Sequence, residues 1–229
     1  VTAEVGRVET TAADVPRVTH REAALLLAAR DPVLAGLVRE AGLPRFPPPA
    51  EDPFPALVRS VVRQQLAEPA ARAIHRRLVV ALDGLLTPRR LLATDPTVLR
   101  ACGLSGRKAR SLHDLAAKAL DGTVPLDAQL LARLPDAEIS ARLRSVRGIG
   151  PWSAELFLLR QLRRLDVWPV ADRGIRRGYG LAWQVGTPTP EQLDGLGGLY
   201  RPYRSVAAWY CWRALELYAG RTPVRPTDM

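Results

Sequence analysis

Cysteine is almost missing from the chain: among 229 residues there are 2, Cys102 and Cys211. Two thiols cannot build a disulfide framework, nor can they supply the four thiolates of an iron–sulfur cluster. Histidine occurs three times, at His20, His75 and His113, with no zinc-ligand spacing. Metal chemistry carried by side chains is therefore not expected. No run approaches the roughly 18 apolar residues that a membrane helix needs. The first stretch, residues 1–18, has no apolar segment of the kind a signal peptide carries. It is expected to be a flexible tail ahead of a helical domain over 19–229, acting in the bacterial cytoplasm and away from membranes. Period-2 alternation is also lacking, apart from a short apolar stretch at Val167–Val170.

What the chain does have is positive charge and helix punctuation. Basic residues number 33 against 23 acidic, a formal charge of +10. Such a surplus suits a polyanionic partner, although an arginine-rich proteome would give the same number. With 47% hydrophobic residues the chain can bury a substantial core. Asp-Pro recurs at Asp31-Pro32, Asp52-Pro53 and Asp95-Pro96, a pattern that suits an N-cap followed by proline in the first helical turn. Helical spacing then runs through Val33, Leu34, Leu37 and Val38, and through Phe54, Leu57, Val58, Val61 and Val62. Ser105 and Asp136 are read as caps of further helices, Pro151 as the start of another, and 205–218 as the last long one. The chain reads as all-α.

The most informative segment is 143–154, Leu-Arg-Ser-Val-Arg-Gly-Ile-Gly-Pro-Trp-Ser-Ala. A helix ends near Val146, a turn carries Gly148 and Gly150, and a new helix opens at Pro151. Glycines there permit positive φ and leave backbone N–H groups uncovered at a helix N-terminus, where the macrodipole favours a phosphate. Ile149 between them is expected to pin the turn into the core. Taken alone, the same residues fit an ordinary glycine-turned helical hairpin.

The full string resembles the helix-hairpin-helix motif of the base-excision DNA glycosylase superfamily, in particular its 3-methyladenine glycosylase II branch. Four further strings match in order: Ser60–Leu66 (SVVRQQL), Gly103–Ala109 (GLSGRKA), Asp166–Arg177 (DVWPVADRGIRR) and Arg201–Ala207 (RPYRSVA), with Trp212 beyond. The resemblance spans about Asp31 to Tyr218. It implies an all-α fold of two helical subdomains with a cleft between them. It also implies a monofunctional enzyme that flips alkylated purines out of double-stranded DNA and hydrolyses their N-glycosidic bond.

By that resemblance Asp172 is the catalytic carboxylate, stabilising positive charge that builds on the deoxyribose; on residues alone an aspartate there reads first as a helix N-cap for Arg173 to Arg177. Trp152 stands where bifunctional relatives carry a Schiff-base lysine, so no lyase activity is expected. Trp152, Trp212 and Leu156 are expected to wall the base pocket, where an indole suits an electron-poor base. Gly148, Ile149, Gly150 and Arg147 are assigned to DNA binding, with Gln64 and Gln65 at the wedge that fills the vacated stack and Gln65 the choice within the pair. Arg107 and Lys108 are candidate phosphate contacts. No cofactor is expected to be required; a structural Na⁺ or K⁺ would sit on the carbonyls of Arg144, Val146 and Ile149. The chain is expected to act as a monomer. Two departures from relatives are expected: Leu156 in place of a pocket tyrosine, and no room in these residues for the extra N-terminal α/β domain of the long bacterial form. A non-catalytic DNA-binding module of the same scaffold, or a glycosylase for mismatched or other damaged bases, is the alternative.

Overall fold

The computed structural model describes residues 18–220. The expected tail lies outside them except for Val18, which packs against the core. Thirteen α-helices run through the described residues, with no strand among them. They are α1 (His20–Ala28), α2 (Pro32–Ala41), α3 (Pro53–Arg63), α4 (Glu68–Ala81), α5 (Pro88–Ala93), α6 (Pro96–Ala101) and α7 (Gly106–Leu120). The chain continues through α8 (Ala128–Arg133), α9 (Asp136–Arg144), α10 (Pro151–Arg160), α11 (Arg173–Ala182), α12 (Pro190–Leu196) and α13 (Arg204–Tyr218).

Most of the anticipated caps form. Asp31 accepts from the N–H groups of Val33 (2.8 Å) and Leu34 (3.2 Å), Asp95 from Thr97 (2.7 Å), and Ser105 from Lys108 (3.3 Å). Each satisfies donors that the first helical turn leaves orphaned. Two do not form. The Asp52 side chain makes no capping bond. Asp136 is the first residue of α9 rather than its cap, because Pro135 already supplies the extended N-cap backbone; its carboxylate pairs instead with Arg164 at 2.9 Å. The apolar stretch at Val167–Val170 is not a strand. It closes a tight turn (Val170 N to Trp168 O, 2.9 Å), and Val167 N–H donates to Ser205 Oγ of α13 at 2.9 Å.

The helices sort into two lobes. In one, α1 and α2 from the start of the chain pack on α13, and α11 crosses α13 most extensively of all. In the other, α3 packs on α4, α7 and α10, with α5 and α6 against α7 and α9 against α10. The α11–α13 crossing is close because Gly178 has no side chain: a Cβ there would stand 1.8 Å from the Cys211 carbonyl oxygen. Asp166 fixes the approach to α11 by pairing with Arg204 (2.7 Å) and Arg201 (2.9 Å) at the start of α13. Together these contacts carry the start of α11 to the face where the lobes meet.

Candidate functional site

The hairpin joins α9 to α10. Val146 and Ile149 are both buried, and Ile149 N–H donates to Val146 O at 3.1 Å, so the turn is pinned from beneath. Gly148 adopts φ +83°, and a Cβ there would meet Ser111 Oγ at 2.6 Å. Gly150 differs from Gly148: it is extended (φ −96°) as the N-cap of α10, and its missing Cβ opens only onto free space. Gly148, Gly150 and Arg147 lie on the surface, and the Gly148 and Gly150 N–H groups have no partner among the described residues. Arg147 N–H is already committed to Asp114 Oδ2 at 2.6 Å, so only its side chain can reach a phosphate. Lys118 buttresses the same corner, pairing with Asp114 (3.0 Å) and donating to the Ser145 carbonyl.

Across from the hairpin, Gln64 Nε2 donates to Gly148 O at 2.9 Å and faces Ser153 Oγ at 3.4 Å. Gln64 therefore clasps the hairpin. Gln65 is exposed in a left-handed conformation, φ +57°. Lys108 departs from its expected place at a phosphate: its ammonium donates to Val62 O (2.7 Å) and Gln64 O (2.6 Å) at the end of α3. Burial, reinforced by the neighbouring Arg107, lowers its pKa.

Asp172 is the N-cap of α11 and only 9% exposed. Its Oδ1 accepts from Ile175 N–H (2.9 Å) and Trp212 Nε1–H (3.0 Å), and its Oδ2 accepts from Trp152 Nε1–H (2.9 Å). Gly174 makes this possible, since a Cβ there would press to 3.1 Å on both Asp172 Oδ1 and Trp212 Cδ1. Three neutral donors thus orient a carboxylate without neutralising it.

A cleft of about 680 Å³ opens beside this carboxylate. Asp172, Trp152, Leu156, Gln64 and Gln65 all line it, together with Ser153, Phe157, Arg59, Arg63 and Arg160. Trp152 is 39% exposed, with its ring edge on Asp172. Trp212 departs from its expected position as a wall. It is not among the residues that line the cleft; Arg160, which does line it, lies over its ring at 4.8 Å, and the indole Nε1–H reaches Asp172. A second cleft of about 620 Å³, near Asp52, Leu131 and Arg164, contains none of these groups.

Residues 58–197 match the model of the HhH-GPD superfamily of base excision DNA repair proteins. The chain belongs to that superfamily. Among its relatives, DNA-3-methyladenine glycosylase 1 of Schizosaccharomyces pombe is 35% identical over 179 residues, covering 77% of this chain and 78% of that one. A solved 3-methyladenine DNA glycosylase of the same organism, in complex with abasic DNA, superposes with a TM-score of 0.76. It is 32% identical and covers 85% of this chain and 97% of that one. A DNA-3-methyladenine glycosidase structure from Bacillus halodurans gives 0.78 at 32% identity, over 86% and 90% of the two chains.

Within this superfamily scaffold, two polar residues of α10 escaped the sequence reading. Arg160 shares a helix face with Trp152 and Leu156 at i, i+4 and i+8 spacing, a signal that was available but hidden among many arginines. Glu155 is half-buried, and its Oε2 has no partner among the described residues. Burial pushes its carboxyl up to about 7, opposed by Arg144 and reinforced by Asp172 and Asp194. At the hairpin, the Val146 carbonyl accepts one hydrogen bond, and those of Arg144 and Ile149 accept none among the described residues. Free carbonyl lone pairs in such a turn suit a monovalent cation.

Proposed function

We propose that this protein is a monofunctional DNA glycosylase that hydrolyses the N-glycosidic bond of alkylated purines of the 3-methyladenine and 7-methylguanine type in double-stranded DNA. One observation carries the reading: a nearly buried carboxylate, in no ion pair among the described residues, opens onto a base-sized cleft beside a glycine hairpin whose Gly148 and Gly150 N–H groups are unpartnered. The homologues bear glycosylase names, and one of them was solved on abasic DNA.

Hydrolysis of a cationic alkylated nucleoside has a good leaving group, so the demand falls on the sugar. As the bond stretches, positive charge builds on the deoxyribose, and Asp172 stabilises it and orients the attacking water. Its three fixed donors keep the carboxylate from turning away. The extruded base stacks on Trp152, while Gln65 enters the gap it leaves in the duplex, a step that costs a few kcal/mol. Gly148 and Gly150 grip a phosphate. A Na⁺ or K⁺ on the carbonyls of Arg144, Val146 and Ile149 would add positive charge between hairpin and phosphate. The position of Trp152 offers no amine, so the strand is left intact.

Incubating the protein with methylated duplex DNA tests this. Free 3-methyladenine should appear, strands should break only after alkali, and borohydride should trap no covalent adduct. A trapped adduct contradicts the monofunctional reading; DNA binding without base release assigns the protein to non-catalytic modules.

A further inference from the structure

The cleft is lined by three arginines, and two are already occupied. Arg59 pairs with Glu51 at 2.5 Å and Arg63 with Glu68 at 2.7 Å. Arg160 has no ion pair and no hydrogen bond to its side chain among the described residues, and it is open to the cavity. It is nevertheless held in place. Its guanidinium lies 4.8 Å from the centroid of the Trp212 ring, and the Trp212 N–H is committed to Asp172. A stacked guanidinium keeps its planar fork of donors free along the edge while its face is satisfied. The fork therefore stands at a fixed relation to the carboxylate, on a cavity surface that an aromatic ring would otherwise provide.

We propose that Arg160 is a specificity-determining residue: its free N–H groups donate to a carbonyl oxygen on the edge of the extruded base, so the cleft favours bases that carry one. This rests on the glycosylase reading above and deepens it. The two simplest alkylated purines separate the effect cleanly. Both 3-methyladenine and 7-methylguanine are cationic as nucleosides, so like-charge opposition from Arg160 bears on both. Only 7-methylguanine presents a carbonyl, at its six position; 3-methyladenine has an amino group there, a donor that cannot accept from the fork, and keeps only ring nitrogens as acceptors. The same fork could instead take a DNA phosphate oxygen. In that case both bases would be affected alike.

The test is single-turnover release of both bases from one preparation of methylated duplex DNA, by wild type and Arg160→Met. Methionine keeps the apolar stem and removes the donors. We expect 7-methylguanine release to fall by at least about tenfold relative to 3-methyladenine, the loss of one hydrogen bond to a charged group. Affinity for abasic DNA should stay within about threefold, since no phosphate contact is removed. Rates that fall in step, or a ratio that stays fixed, overturn the proposal, and an accompanying loss of abasic-DNA affinity assigns Arg160 to the phosphate. If Arg160→Met lacks a cooperative thermal transition, Arg160→Lys decides. Lysine keeps the charge without the planar fork, so the ratio should shift in the same direction, and an unchanged ratio overturns the proposal. Release of neither base by wild type would instead remove the glycosylase reading itself.

Discussion

At the scale of single residues, the site turns on how hydrogen bonds are shared around one carboxylate. Trp152 was expected as a stacking platform, and its ring edge also donates to Asp172. Trp152→Phe keeps the platform and removes the donor, so base release should slow by about tenfold at unchanged DNA affinity. Equal losses in rate and affinity would mean that only stacking mattered. Glu155 gives a second, independent prediction. Its folded pKa of about 7 lies above the ordinary value of 4.5, so the folded state holds the proton more tightly than the unfolded one. Its contribution to stability is complete below the ordinary value and is lost as pH rises through about 7. Glu155→Gln removes that dependence. The variant should gain roughly 1–2 kcal/mol on wild type between acidic and mildly alkaline pH, allowing for solvent screening. Chemical denaturation at both pH values checks it, and a parallel pair of curves contradicts it. Asp172, Trp152 and Leu156 were legible because each stands at a fixed offset from a recognisable turn. Arg160 was not, because an unpaired arginine looks no different in sequence from one that is paired.

At the scale of elements, helix starts were well marked where a side chain caps them and poorly marked where the backbone does so alone. Asp31, Asp95 and Ser105 cap as expected, whereas Asp52 and Asp136 do not. The short helices α5, α8 and α12 carry too few turns to show a period. Helix α11 contains three glycines, which weakens its intrinsic propensity. Packing explains all three: Gly174 admits the Asp172–Trp212 pair, Gly178 admits the α13 backbone, and Gly180 admits the backbone of Val185 and Thr187. Gly178→Ala should therefore cost about 3 kcal/mol or more, since backbone must move to clear the methyl. A thermal melt within a degree or so of wild type would contradict the close crossing. The end of α3 is held by the Lys108 ammonium on two carbonyls. With Gln65 as the proposed wedge, Lys108→Met should loosen the turn that carries it, lowering release from duplex DNA more than from substrates whose lesion is already unpaired. Equal loss on both substrates would leave the lysine a purely structural role.

At the scale of the molecule, the excess of positive charge and the hairpin describe one function from two directions. Charge alone did not distinguish nucleic acid from other polyanions, and the two-lobed arrangement was legible only through the resemblance. Periodicity marks helices but not which of them pack together; that depends on contacts between the two ends of the chain, α1 and α2 against α13. Counterion release predicts that affinity for undamaged duplex falls at least about tenfold between about 50 and about 200 mM salt. Salt-insensitive binding would count against a phosphate-gripping surface. The most direct measurement compares Asp172→Asn with wild type on methylated duplex DNA, following base release in single turnover alongside affinity for abasic DNA. Asparagine preserves the cap of α11, so affinity should persist while release falls by about 100-fold or more. Release by the variant at close to the wild-type rate would contradict the account.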